Sequence, residues 1–150
     1  MKIVSRAKRR GFSGSRSSLG KIPTHTPALA RAQRITERAS DLGFDWPALD
    51  PVWDKVEEEL RELKSAVPTG DPTRIEEEAG DLFFSLVNLC RFLHVDAEET
   101  LTRAVDRFVK RFAYIEARVE AGGRTLAESS LEEMDALWEE AKRKEREEGL

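Results

Sequence analysis

The run Pro68-Thr69-Gly70-Asp71-Pro72 constrains this chain more than any other stretch of it. Proline and glycine together end a helix, and Asp71 followed by Pro72 supplies an N-cap and a first-turn proline for the next one. On both sides of the break the apolar residues recur at helical spacing. Val56, Leu60, Leu63 and Val67 are expected to be the buried stripe of the first helix. The second carries Leu82-Phe83-Phe84-Ser85-Leu86-Val87-Asn88-Leu89-Cys90, apolar nearly all round, and is expected to be buried. A connection this short favours an antiparallel hairpin.

Two acidic clusters sit on that hairpin, Glu58-Glu59-Leu60-Arg61-Glu62 and Glu78-Ala79-Gly80-Asp81. Residues three apart on a helix have Cβ atoms about 5 to 6 Å from one another, so Glu59 with Glu62 and Glu78 with Asp81 each form a paired-carboxylate face. Glu62 precedes the break by about as many turns as Glu78 follows it, which sets the four groups at one depth. Two unit charges about 4 Å apart cost roughly 4 kcal/mol at an effective dielectric near 20, so such a cluster requires protons or a cation. Oxygen ligands without His or Cys suit magnesium, with manganese as a substitute. Glutamates also coat solvated helix faces, and for any one of them that is the simpler reading. The set argues otherwise, because Glu78 and Asp81 lead straight into the apolar run. Gly80, between two of the candidate ligands, costs about 1 kcal/mol relative to alanine. Close approach of another backbone, or room for a metal or phosphate, would each account for it.

The chain has 150 residues, 39% of them hydrophobic, enough for one domain with a core. Charged residues make up 36%, no segment alternates, and the six prolines fall in loops or helix starts, which together predict an all-α protein. No stretch is apolar for the roughly 18 residues that a membrane span needs. Cys90 reads as a small core residue, consistent with a cytoplasmic setting and no disulfide framework. His25 and His94 stand apart from other ligand types. Residues 1 to 21 hold seven basic side chains and no acid, while all 29 acidic residues and 18 of the 25 basic ones lie beyond. The acidic remainder makes nucleic acid an unsuitable partner. Residues 1–26 are expected to be a basic, Gly/Ser-rich flexible tail and 27–150 the folded domain.

Periodicity and punctuation predict five helices. The first runs from about Pro27 to Leu42 and stops at Gly43, before a connector, Phe44-Asp45-Trp46-Pro47. The second starts near Asp50-Pro51 and the third spans about Pro72 to Leu93. Asp96 with Glu99 opens the fourth, whose apolar stripe is Leu101, Val105, Phe108, Phe112, Ile115 and Val119, and which Gly122-Gly123 ends. Ser130 with Glu133 opens the fifth, which carries Leu131, Met134, Leu137 and Trp138. Arg103, Arg107 and Arg111 share a face of the fourth helix, and Phe108 beside them is read as a core residue. Arginine's planar fork suits phosphate oxygens, though a solvated basic stripe has the same spacing. Lys55 and Arg91 are the next candidate cations.

Glu58-Glu59-x-x-Glu62 followed by Glu78-x-x-Asp81 resembles the signature of the MazG family of all-α nucleoside triphosphate pyrophosphohydrolases. The likeness extends to Ala30-Arg31-Ala32-Gln33, the Gly43-to-Pro47 connector, Val87-Asn88-Leu89-Cys90-Arg91, Lys110-Arg111-Phe112 and Leu137-Trp138, covering about residues 27 to 145. These motifs look like the C-terminal catalytic half of the two-domain bacterial members. The resemblance implies an antiparallel helical bundle completed by dimerisation, and magnesium-dependent hydrolysis of nucleoside triphosphates to monophosphate and pyrophosphate. Carried over by position, Glu59, Glu62, Glu78 and Asp81 are metal ligands, with Glu58 and Glu59 as catalytic candidates. Arg107, Arg111, Trp138 and Lys55 are substrate-binding candidates. Val105 stands where the family usually has Asn, and Arg107 where it usually has Lys. Narrower activities of the same fold, on dUTP, dCTP or phosphoribosyl-ATP, remain open, as does a non-catalytic nucleotide sensor.

Overall fold

The computed structural model describes residues 17–149. Among them are five α-helices: α1 (Ala28–Asp41), α2 (Leu49–Ala66), α3 (Pro72–Phe92), α4 (Ala97–Ala121) and α5 (Leu131–Glu148). The predicted boundaries hold within one or two residues, and several of them rest on a local hydrogen-bonding device. The Asp71 carboxylate accepts from the N–H groups of Thr73 and Arg74, with Pro72 at the first helical position. Asp96 accepts from the Glu99 N–H at 2.8 Å. Ser130 and Glu133 cap α5 reciprocally. A second reciprocal pair, Thr125 with Glu128, orders the short 3₁₀ turn Leu126–Glu128 ahead of it. That pair has the same Thr-x-x-Glu spacing but was not anticipated.

The helix stops matter as much. Gly43 adopts φ +90°, and the Phe44 N–H returns to the Ala39 carbonyl, which turns the chain sharply out of α1. The end of α3 uses the same geometry without a glycine. His94 takes φ +56°, and the Val95 N–H bonds to the Cys90 carbonyl at 2.9 Å. His94 is therefore a helix stop.

The helices fall into two compact units divided after Thr100, in the first turn of α4. In the first, α2 packs on α3 as the expected hairpin, and α1 also packs on α3. Gln33 of α1 ties in the segment beyond α3. Its amide donates to the Val95 carbonyl and accepts from the Ala97 N–H. Arg38 reaches the carbonyls of Leu19 and Lys21, within the segment expected as a tail; the rest of that expectation, residues 1–16, lies outside the described residues. The core of this unit includes Val52, Ala66, Val87, Leu89 and Ala97. In the second unit, Ile115 and Val119 of α4 and Ala141 of α5 are buried.

Three burial expectations are corrected. The seam that α2 buries is Val52-Glu59-Ala66, and Leu60 and Val67 of the expected stripe are 41% and 57% exposed. At 100° per residue the seam is rotated about 70° from the apolar stripe. The α3 run is not buried all round, because Phe83, Phe84 and Leu86 remain exposed. On α4 only Ile115 and Val119 of the stripe are buried, and Phe108, read as core, is 57% exposed. Periodicity locates an apolar face but does not say whether this chain or another surface covers it.

Candidate functional site

The rotation of α2 puts Glu59 on the buried seam, facing α3. Its carboxylate meets those of Glu78 and Asp81, with one oxygen from each of the three within 4.8 Å of the others. Glu59 is 4% exposed, and its two oxygens differ. Oε1 pairs with Lys55 Nζ at 2.5 Å, while Oε2 is buried without a hydrogen-bond partner among the described residues. A buried, unpartnered carboxylate oxygen beside two further carboxylates is costly unless a cation completes it. The donor set is all oxygen, as magnesium or manganese prefers, so the residues present fit a hard divalent ion.

Glu62 lies outside that closest trio but next to it. Partial desolvation, then the carboxylates of Glu59 and Glu78, hold its pKa above the usual carboxylate range. Glu58 does not join the cluster directly; it pairs with Lys55 at 3.3 Å on the more exposed side of the lysine. Lys55 is thus held between two glutamates. Its pKa is raised, first by the hydrogen bond to Glu59, against the opposing effect of burial. Gly80 has nothing within 4 Å of where a Cβ would stand among the described residues, so none of their backbone outside its own helix approaches it closely.

Glu59 and Asp81 border a cavity of about 600 Å³ whose wall includes Ile35, Phe44, Trp46 and Phe84. At its polar end, Asp45 takes a two-armed ion pair from Arg91, with Nη1 to Oδ2 at 2.9 Å and Nη2 to Oδ1 at 2.6 Å. The Ser40 hydroxyl and the Trp46 N–H also donate to Asp45. Burial pushes the Asp45 pKa up, but Arg91, Ser40 and the Trp46 N–H together bring it below its ordinary value. Arg91 donates further to Asn88 Oδ1. The sharp turn at Gly43 delivers this connector to the cavity. Sequence reasoning read Phe44-Asp45-Trp46-Pro47 as a connector and missed the Asp45–Arg91 pair, since its partners are 46 residues apart.

Arg107, Arg111 and Trp138 belong to the second unit. Arg111 donates from Nε and Nη2 to Glu145 Oε2, at 3.0 and 2.8 Å, and its guanidinium lies 5.4 Å from the Trp138 ring centre. Trp138 packs against Phe108 at 5.3 Å. Arg111 and Trp138 are therefore neighbours, and Arg111 already holds a carboxylate. Arg107 is exposed. Lys55 and Arg91, the reserve cations, are both engaged by carboxylates of the protein.

Residues 52–114, which contain all four carboxylates of the cluster, match the MazG nucleotide pyrophosphohydrolase domain. Over these residues the chain carries a MazG domain. It is 49% identical over 126 residues to the nucleoside triphosphate pyrophosphohydrolase/pyrophosphatase MazG of Thermotoga maritima, covering 84% of this chain and 48% of that protein. It is 40% identical over 142 residues to the nucleoside triphosphate pyrophosphohydrolase of Escherichia coli K12, covering 93% of this chain and 54% of that one. A third relative, the uncharacterized protein YabN of Bacillus subtilis, is 49% identical over 72 residues, 48% of this chain and 15% of its own. The chain thus spans about half the length of the first two MazG relatives. The all-α architecture anticipated from the sequence is that of a MazG domain.

Proposed function

We propose that this protein hydrolyses nucleoside triphosphates between the α- and β-phosphates, giving a nucleoside monophosphate and pyrophosphate. The observation that carries the reading is the buried Glu59 Oε2, left without a partner where Glu78 and Asp81 converge. Glu59, Glu62, Glu78 and Asp81 are the residues that would hold magnesium. A bound divalent cation would neutralise phosphate charge and ease in-line attack of water on phosphorus. Lys55 fixes Glu59 through Oε1 and so directs Oε2 at the ion position. Glu58, steadied by Lys55, is the candidate base that would accept the proton of the attacking water. Arg107 and Arg111 would hold phosphate oxygens, Arg111 exchanging Glu145 for the substrate, with Trp138 beside the nucleotide. Residues 27–150 would act as one catalytic domain in the cytoplasm.

Product analysis tests the reaction. Incubation with magnesium and each triphosphate should release monophosphate and pyrophosphate in equal amounts. Diphosphate with free phosphate would exclude attack at the α-phosphorus, and binding without turnover would favour a sensor.

A homodimer belongs to the same reading, supported by the apolar side chains left exposed on α3 and α4. Phe83 is 63% exposed and Phe108 57%, beyond the scattered apolar exposure of an ordinary surface. Sedimentation should give twice the chain mass, and Phe83→Asp or Phe108→Asp should shift it towards one.

A further inference from the structure

Ahead of α1, residues 17–26 are clipped to that helix with little to hold them. Their backbone hydrogen bonds are local turns, from the Gly20 N–H to the Ser17 carbonyl and from the Thr26 N–H to the Pro23 carbonyl, each at 3.0 Å. Among the described residues, the hydrogen bonds that tie this segment to the rest of the fold come from one atom. Arg38 Nη1 donates to the Leu19 carbonyl at 2.7 Å and to the Lys21 carbonyl at 3.2 Å. Gly20, between those carbonyls, is required twice over. Its φ is +70°, and a Cβ there would stand 3.3 Å from Arg38 Nη1. Leu19, Ile22 and Thr26 are half-buried, and the other residues of the segment are exposed. A segment anchored so sparsely opens locally without unfolding the helices.

Leu19 also lines the cavity beside Glu59 and Asp81, whose other wall residues all belong to α1, α2, α3 or the connector after α1. Among the described residues it is therefore the part of the wall that can move away while the helices stay in place. With the clip made, the cavity still measures about 600 Å³, so Leu19 completes the wall and does not fill the space. A ligand inside touches Leu19 only while the clip is made, and so favours the closed segment. We propose that residues 17–26 are a strap, latched by Arg38, which opens to admit the occupant of the cavity and closes on it. The strap thereby controls exchange between cavity and solvent. That the occupant is the substrate rests on the triphosphate reading above; the opening itself does not.

Opening is measured first without any nucleotide. Thr36 is a buried residue of the cavity wall, and Thr36→Cys in a Cys90→Ser background leaves a single thiol there. N-ethylmaleimide should label that thiol slowly, and adding Arg38→Ala or Gly20→Val should raise the rate about tenfold, as when local opening limits access. A β-branched side chain resists the φ at Gly20, and because Gly20 lies outside every helix its variant keeps the test valid if Arg38→Ala, within α1, fails to fold. Trypsin cleavage between Lys21 and Ile22, the bond whose carbonyl Arg38 holds, should quicken by about the same factor. Labelling at one rate in all three proteins would overturn the strap, and unchanged cleavage would overturn the latch. Hydrolysis is read separately. With the latch lost, KM for a triphosphate should rise about tenfold while kcat stays within about twofold, the mark of binding lost equally from ground and transition states. Faster labelling with an unchanged KM would overturn closure on the substrate and keep the reaction; a parent that hydrolyses no triphosphate loses the reaction, and the strap then stands or falls on the thiol.

Discussion

Partial desolvation and the carboxylates of Glu59 and Glu78 push the Glu62 pKa up, whereas Arg91, Ser40 and the Trp46 N–H bring that of Asp45 down against its burial. The two shifts have opposite consequences for stability. A raised carboxyl contributes stability below its unfolded pKa and loses it as pH rises through the folded value. Metal-free Glu62→Gln protein should therefore melt higher than the parent at pH 7, with the gap closing below about pH 4. Calorimetric scans across that range check it. A depressed carboxyl contributes above its unfolded pKa and loses the contribution as pH falls through the folded value. Asp45→Asn should cost about 2 to 3 kcal/mol at pH 7, since Arg91 is left partly buried without its counter-charge, and the cost should fade below about pH 4. Urea unfolding at the two pH values measures it. Arg111 tests the phosphate role. Arg111→Ala should lower kcat/KM for a triphosphate by about ten- to a hundredfold, as loss of a charge-assisted phosphate contact does. Steady-state kinetics that match the parent would leave Arg111 only as the partner of Glu145.

At the scale of the helix, Gly80 is the informative position in α3. Among the described residues a methyl group there would meet nothing within 4 Å, so their geometry does not require glycine. Gly80→Ala should stabilise the protein by about 0.5 to 1 kcal/mol through helix propensity, read from the shift in urea midpoint. If the space is reserved for substrate or ion between Glu78 and Asp81, the same variant should lose turnover while gaining stability. Retained turnover would mean that the space is not needed. The helix ends were legible because caps and stops are local. Asp71, Asp96, Gly43 and Ser130 each act within a few residues, and the structure forms the bonds that their spacing predicts. His94 was not legible as a stop, since a left-handed residue other than glycine has no compositional signature.

Over the whole molecule, an ion should couple to folding, because only the folded chain assembles Glu59, Glu78 and Asp81. Magnesium at about a hundred times its Kd should stabilise by about 2.7 kcal/mol, raising Tm by about 5 to 10 °C for a chain of this size. Asp81→Asn should abolish most of that gain while leaving the metal-free Tm equal to the parent's or slightly above it. A magnesium response that survives in the variant would place the ion elsewhere.

The sequence alone determined the number and limits of the helices, the hairpin between α2 and α3, and the convergence of Glu59, Glu78 and Asp81 on it, with Glu62 beside them. These follow from spacing along one helix and from the shortness of one loop, both local quantities. Only the tertiary structure decided the rotation of α2, which buries Val52, Glu59 and Ala66 and turns Leu60 and Val67 outward. A helix with polar and apolar residues on adjacent faces can present either to a neighbour, and the packing partner makes the choice. The Asp45–Arg91–Asn88 network was decided the same way. It joins a loop after α1 to the end of α3, and no periodicity records a contact made across 46 residues.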